Sequence, residues 1–347
     1  MQPPLHPLEG SRRLGVDAGQ LQALENLSDP GLELFRVAVE AQAQIALVDF
    51  ERRVWGELSG RLRAEQSEDP LARPAVGDFV AARAPSEGGY WRIEHVLPRR
   101  TQFVRQSAKR RGDPQLVAAN LDLVLVVTSP NEEFNPRRIE RYLATIHASG
   151  AEPGVVLNKT DLVADSGAHL ERLREVALDA PVLPTSAADG RGIEALRRQV
   201  GDGRTVALVG SSGVGKSSLT NALLGDARQA TAEIREEDAK GRHTTTHREL
   251  FFLPHQNGLL VDTPGMRALS LWVDPEALDE AFADVASIAE GCRFRDCSHR
   301  VEPGCAVRDA MDRGELSRSR VASYLRLRAE VAAAPIRRRG RPRLRSR

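Results

Sequence analysis

Residues Gly210, Ser211, Ser212, Gly213, Val214, Gly215, Lys216 and Ser217 spell G-x-x-x-x-G-K-[ST], and they lie between the apolar run TVALV and the helical pattern SSLTNALL. This turn works only where a strand delivers the chain to a helix. The glycines let successive backbone N–H groups wrap phosphate oxygens, and the helix N-terminus adds its dipole. Lys216 then reaches the β- and γ-phosphates and Ser217 ligates magnesium, with Ser218 completing the run. The motif therefore predicts an α/β domain with a parallel sheet.

The surrounding pattern agrees. β-branched apolar runs at 121 to 130, 153 to 161, 181 to 187, 204 to 210 and 258 to 265 end in polar or glycine-rich tips. Helical patterns lie between them at about 136 to 148, 166 to 178, 191 to 200 and 216 to 224. Such alternation predicts a mostly parallel sheet covered on both faces, with ligands at the carboxyl ends of the strands. The tip Asn158-Lys159-Thr160-Asp161 suits guanine, because an ionised Asp161 only accepts and guanine presents neighbouring N1–H and N2–H donors. Lys159 would lay its alkyl stem along the base. Thr185-Ser186-Ala187 ends the next strand, where backbone N–H groups of Ser186 and Ala187 can meet the guanine carbonyl. Asp262 ends the run GLLVD, placed to hold magnesium through water, and Gly265 offers an N–H to the γ-phosphate.

The order is inverted relative to a Ras-like enzyme: NKTD and TSA precede the phosphate loop. A circular permutation explains this without disturbing the site, provided the old termini were close. It also makes the segment after DTPG lead directly into the C-terminal region. Residues 226 to 247, poor in apolar side chains and containing GRHTTTH, read as a switch loop ordered by the γ-phosphate, or else as a polar surface loop. Met266 stands where a Ras-like enzyme carries the glutamine that orients water, and a thioether cannot do that. Intrinsic hydrolysis should be slow, and His243 is the nearest candidate to position water.

Ahead of this domain, short β-rich segments at 33 to 40, 43 to 50, 53 to 60, 76 to 83 and 90 to 97 suggest a five-stranded closed barrel of the oligonucleotide-binding kind. Residues 1 to about 30 read as a loose arm with one short helix around Leu21 to Leu27. The arginine-rich stretch 98 to 113 is either a solvated connector or a strip that contacts phosphates. A net charge of +1 argues against a uniformly basic coat but leaves room for such local patches. Only four of the 49 basic residues are lysine, Lys109, Lys159, Lys216 and Lys240, so two of the four fall in nucleotide motifs.

All three cysteines lie between 292 and 305. Cys292, Cys297, His299 and Cys305 make a closed set of three thiolates and one imidazole, suited to a structural zinc ion; three buried free thiols are the alternative. The segment is too polar to form a core of its own without metal. Helices are expected at about Pro275 to Glu290 and Glu315 to Ala334, followed by a tail with seven arginines and no acid. No run of 18 apolar residues occurs, and the start MQPPLHPLEG lacks a signal-peptide layout, so a cytoplasmic protein is expected.

A permuted nucleotide domain between a barrel and a Cys-Cys-His-Cys set resembles the RsgA (YjeQ) family of ribosomal GTPases. The resemblance rests on GSSGVGKSS, GRHTTT, DTPG, NKTD and the cysteine spacing, over roughly residues 30 to 330. It implies a cytoplasmic GTP hydrolase acting late in maturation of the small ribosomal subunit. It also implies contact with ribosomal RNA, release of other assembly factors, and hydrolysis that is slow until the subunit stimulates it. It implies a hydrolytic role for His243 and a magnesium contact from the threonine run, with Thr245 favoured.

The expected architecture is thus multidomain α/β: an arm (1–31), an OB-fold barrel (32–112), a circularly permuted Ras-like GTPase domain (113–273), a helical zinc-binding domain (274–334) and a basic tail (335–347). A monomer with no membrane association is expected, with Zn2+ and Mg2+ as cofactors. From a different class, the competing reading is an RNA-binding nucleotide switch with negligible turnover.

Overall fold

Strand periodicity explains most of the architecture. In the computed structural model, which describes residues 14–40, 44–49, 51–106, 114–132, 134–201, 203–225, 248–254, 258–262, 278–279 and 282–333, the central strands of the nucleotide domain's parallel sheet, 123–128 and 205–209, are buried throughout. The chain divides into two units, Met1–Trp272 and Val273–Arg347.

In the first unit, helix α1 (Ala18–Asn26) opens with a capping box in which Asp17 and Gln20 each accept from the other's backbone N–H. Strands β1 (Leu32–Glu40), β2 (Ile45–Val48) and β3 (Arg53–Leu58) form a meander. Helix α2 (Gly60–Glu68) and a 3-10 turn (Pro70–Ala72) lead to β4 (Phe79–Arg83) and β5 (Trp91–Val96). The order β1-β2-β3-β5-β4 closes through a β1–β4 pairing, which makes the five-stranded barrel. Its core is Phe35, Val37, Leu47, Val80, Trp91 and Ile93, with Leu62 of α2 as a plug.

Next, β6 (Gln102–Gln106) and β7 (Pro114–Ala119) form a separate antiparallel ribbon. The alternation then gives β8 (Leu123–Thr128), α3 (Pro136–Ala148), β9 (Glu152–Leu157), α4 (Gly167–Ala177), β10 (Val182–Pro184), α5 (Ile193–Val200), β11 (Thr205–Val209), α6 (Lys216–Leu224), β12 (Glu249–Phe252) and β13 (Leu259–Asp262). The sheet order is β10-β9-β8-β11-β13-β12, parallel except for β12. Alternate residues of β8 serve opposite faces: Val124 and Val126 pack with Ile139 and Ile146 of α3, while Leu123, Leu125 and Val127 pack with Leu196 of α5 and Leu223 of α6. Burying each such side chain contributes about 1.5–3 kcal/mol. β12 also pairs antiparallel with β1 at Val39 and Glu249, so barrel and nucleotide domain share one eleven-stranded sheet.

Arg36 of β1 is fully buried where these parts meet. Its guanidinium donates to the carbonyls of Gly77 (3.1 Å), Leu14 (2.5 Å) and Asn120 (3.1 Å) and lies over the Phe79 ring at 4.7 Å. Burial lowers its pKa to about 9, which leaves it protonated at neutral pH. Asn120, left-handed at φ 55°, accepts in turn from Arg100 N and Gln20 Nε2. From Leu14 onward the stretch expected to be loose is therefore tied down, and α1 begins at Ala18, three residues before the expected start. A second difference concerns the arginine-rich stretch: 102–106 form β6 instead of a connector, because Phe103 is buried in the main core while its neighbours face outward. Residues 107–113 lie outside the described residues.

The second unit contains α7 (Ala283–Ala289), α8 (Ala306–Asp312) and α9 (Arg318–Ala333). Its core includes Phe282, Val285, Val307, Ala310, Val321, Tyr324 and Leu327. Residues 275–277, the expected helix start, lie outside the described residues. α9 begins at Arg318, later than the expected Glu315, because Gly314 turns the chain at φ 73° and Ser317 Oγ accepts from Arg320 N. Helix α8 was not expected. Among the described residues no helix is long and apolar enough to cross a membrane.

Candidate functional site

The phosphate loop sits at the carboxyl end of β11, as its motif requires. Gly210 has φ 139°, and a Cβ there would lie 2.2 Å from Val127 O, so only glycine lets the loop pass β8. Gly213 turns at φ 84° among exposed residues, and Val214 is buried beneath the loop. Lys216 Nζ donates to the carbonyls of Gly210 (2.8 Å) and Ser211 (2.5 Å), which holds it over the loop where phosphates would lie. Ser217 and Ser218 are exposed on the first turn of α6.

Asn158 ties the base-reading tip to this loop. It is 1% exposed; Nδ2 donates to Val214 O (2.9 Å), and Oδ1 accepts from Thr185 Oγ1 and Ala187 N, both at 3.2 Å. Gly215 makes room: a Cβ there would meet Asn158 Nδ2 at 2.3 Å. Lys159 adopts the left-handed conformation at φ 63°, beside the same glycine. Thr160 donates through Oγ1 and N to Thr185 O (3.0 and 3.1 Å). Ser186 Oγ donates to Asp161 Oδ1 (2.7 Å), which orients a carboxylate that is otherwise open to solvent. The structure thus brings together Asn158, Lys159, Thr160, Asp161, Ser186, Ala187 and the loop from Gly210 to Ser218. Asp262 ends β13, one sheet position from β11. His243, Thr245 and Gly265 lie outside the described residues.

The four candidate metal ligands also converge. Cys292 follows α7, its N–H bonded to Ala289 O, and Cys305 caps α8. Their donor atoms and those of Cys297 and His299 all lie within 4.8 Å of one another. Cys292 Sγ is 3.9 Å from Cys305 Sγ, and His299 Nδ1 is 3.5 Å from both sulfurs. A zinc tetrahedron with Zn–S of about 2.3 Å and Zn–N of about 2.0–2.1 Å has edges of about 3.8 and 3.5 Å, so Cys292, His299 and Cys305 fit the ion, with Cys297 within 4.8 Å of them. Burial and the neighbouring thiols push Cys297 up to about 11, whereas the backbone N–H groups of Val307 and Ala306 hold Cys292 below the usual thiol value against its burial. Composition had not exposed the role of Glu302, which accepts from Ser298 N (3.0 Å), Ser298 Oγ (2.5 Å), Arg300 N and Val301 N (both 3.1 Å). The Ser298 hydroxyl, with these N–H groups, pulls its carboxyl down to about 2 and braces the loop that holds His299 at φ 59°. The only sequence signal was a carboxylate four residues after Ser298.

A closed five-stranded barrel, a phosphate-loop motif that follows the NKTD tip in sequence, and a Cys3His centre define a circularly permuted GTPase with a zinc-binding unit. The RsgA GTPase family profile matches residues 96–272. A relative from Syntrophotalea carbinolica, "Small ribosomal subunit biogenesis GTPase RsgA", is 42% identical over 333 residues, which is 94% of this chain and 90% of that one. The protein of the same name from Methanosarcina acetivorans is 47% identical over 260 residues, 75% of this chain and 70% of that one. Among solved structures, YjeQ from Thermotoga maritima superposes with a TM-score of 0.60 at 29% identity, covering 88% of this chain and all of that one. YloQ, described as a circularly permuted GTPase, shares the fold with a TM-score of 0.57 at 22% identity, over 87% of this chain and 95% of that one. This chain belongs to the RsgA GTPase family.

Proposed function

We propose that the chain hydrolyses GTP to GDP and phosphate during late maturation of the small ribosomal subunit, binding that subunit and its ribosomal RNA in the cytoplasm as a monomer. The observation that carries this reading is Asn158, whose amide joins the guanine-reading tip to the phosphate loop. A base in the Asp161 pocket is thereby placed at a fixed distance from Lys216. Asp161 accepts from the base, Ser186 and Ala187 close the pocket over the guanine carbonyl, and Lys159 lies along the ring. The loop from Gly210 to Ser218 binds the phosphates, with Gly265 at the γ-phosphate. Ser217, Thr245 and Asp262 would hold magnesium, which would supply positive charge to offset that of the phosphates. His243 positions the attacking water.

Zinc held by Cys292, Cys297, His299 and Cys305 is structural, since four protein ligands leave no open position. The domain boundaries given from the sequence, 1–31, 32–112, 113–273, 274–334 and 335–347, are retained in this proposal, as are contacts with other assembly factors. Equilibrium competition of GTP against ATP on the full chain, followed by sedimentation with purified small subunits, tests the reading. GTP should win by roughly 10²-fold or more, since the wrong base leaves buried polar groups unpaired. Equal competition, or no co-sedimentation in any nucleotide state, would overturn it.

A further inference from the structure

β8 and β11 are neighbouring parallel strands whose following connections leave toward opposite sides of the sheet. The crevice beyond their carboxyl ends is where an open α/β sheet offers space to a ligand. One side chain crosses it. Arg138 of α3, on the chain leaving β8, donates from Nη1 to Oγ of Ser211, on the chain leaving β11. The carbonyl of the same Ser211 accepts from Lys216 Nζ. Ser211 thus carries one cation on its hydroxyl and another on its carbonyl. Because a phosphate-loop lysine reaches the β- and γ-phosphates, Arg138 is anchored at the end of the loop that this lysine covers.

Arg138 stands in the first turn of α3, which has no acidic residue, and the partial positive charge of a helix N-terminus disfavours a guanidinium there. Asn135 Oδ1 accepts from Arg138 N (3.1 Å), so the root of the side chain is fixed by the helix cap. Ile139, one residue on, is buried in the core, which sets the rotation of the helix and aims position 138 at the loop.

We propose that Arg138 is a positioning residue for the triphosphate. Through Ser211 it fixes the start of the phosphate loop, and it adds a second positive charge on the γ side, so that GTP is favoured over GDP. The proposal rests on the guanine-nucleotide reading above.

The test is equilibrium binding of a non-hydrolysable GTP analogue and of GDP to the full chain. The variants are Arg138→Gln, which keeps a donor for Ser211 and drops the charge, Arg138→Lys, Ser211→Ala and the Gln/Ala double variant. Arg138→Gln should weaken the GTP analogue by about two- to fivefold while GDP moves less, as for an exposed charge contact. Arg138→Lys should restore most of the GTP-to-GDP ratio, and the effect should shrink at high salt. Ser211→Ala should weaken the GTP analogue less in the Arg138→Gln background than in the parent, since the charge that the hydroxyl positions is already gone. Equal weakening of both nucleotides, or no change in either, would overturn the proposal. A parent chain that binds no guanine nucleotide would instead overturn the reading beneath it.

Discussion

Arg53 of the barrel reaches Glu249 of the nucleotide domain, Nη1 to Oε1 at 3.3 Å, and Glu249 is only 3% exposed. Glu249 opens β12, the strand that follows residues 226–247, and pairs with Val39 of β1. Beside it, Arg248 bonds to Leu116 O (3.2 Å) and pairs with Glu40 (3.5 Å), which also meets Arg73 (2.9 Å). The strand leaving the candidate switch segment is therefore bonded to the barrel by backbone and side chains together.

Arg53→Ala should leave the Glu249 carboxylate less compensated and lower stability by about 1–3 kcal/mol. Adding Glu249→Leu should recover part of that loss. Denaturant unfolding of the two variants and the parent checks this; equal loss in the single and double variants would count against the pair.

The barrel holds a stronger case. Asp78 is fully buried and receives Arg99 Nε at 2.7 Å and Nη2 at 2.8 Å, while Arg99 also donates to Leu71 O and Arg73 O. Arg99→Ala strands a buried carboxylate and should cost about 3–5 kcal/mol. The expected readout is a large drop in thermal midpoint, with Arg99→Lys intermediate because one ammonium cannot serve the same fork.

Asn158→Ala removes the amide that joins the base-reading tip to the phosphate loop. It should weaken GTP binding by about 10-fold or more, since Val214 O, Thr185 Oγ1 and Ala187 N each lose a buried partner. Asp161→Asn should leave the fold intact and weaken guanine nucleotides selectively against ATP. Competition binding reads both.

Cys305→Ser should abolish stoichiometric zinc and loosen α8, which starts at the residue after this ligand. Metal analysis should give one zinc per parent chain and none in the variant, with a loss of helical circular dichroism confined to the second unit's share.

Much of this was legible in the sequence, for a physical reason. Gly210 to Ser218, Asn158 to Asp161 and the cysteine set are combinations that little else explains, and the structure brings the first two together and gathers the third around one point. The barrel strands showed through short runs of β-branched and aromatic residues between turn-forming ones, although β1 is buried on both faces from Phe35 to Val39. What was hidden depends on partners distant in sequence. β12 is four residues long, and its meaning comes from Val39, about two hundred residues earlier. The tethering of α1 comes from Arg36, an arginine that composition would place in solvent. Arg138 carries no signal of its own in the sequence; α3 places it against Ser211.

The most direct measurement is steady-state phosphate release from GTP by the full chain, with and without purified small ribosomal subunits, beside Lys216→Ala. Slow release alone, a marked rise with the subunit, and background release from Lys216→Ala under both conditions are expected. A parent rate unchanged at saturating subunit would contradict a GTPase that works on that particle.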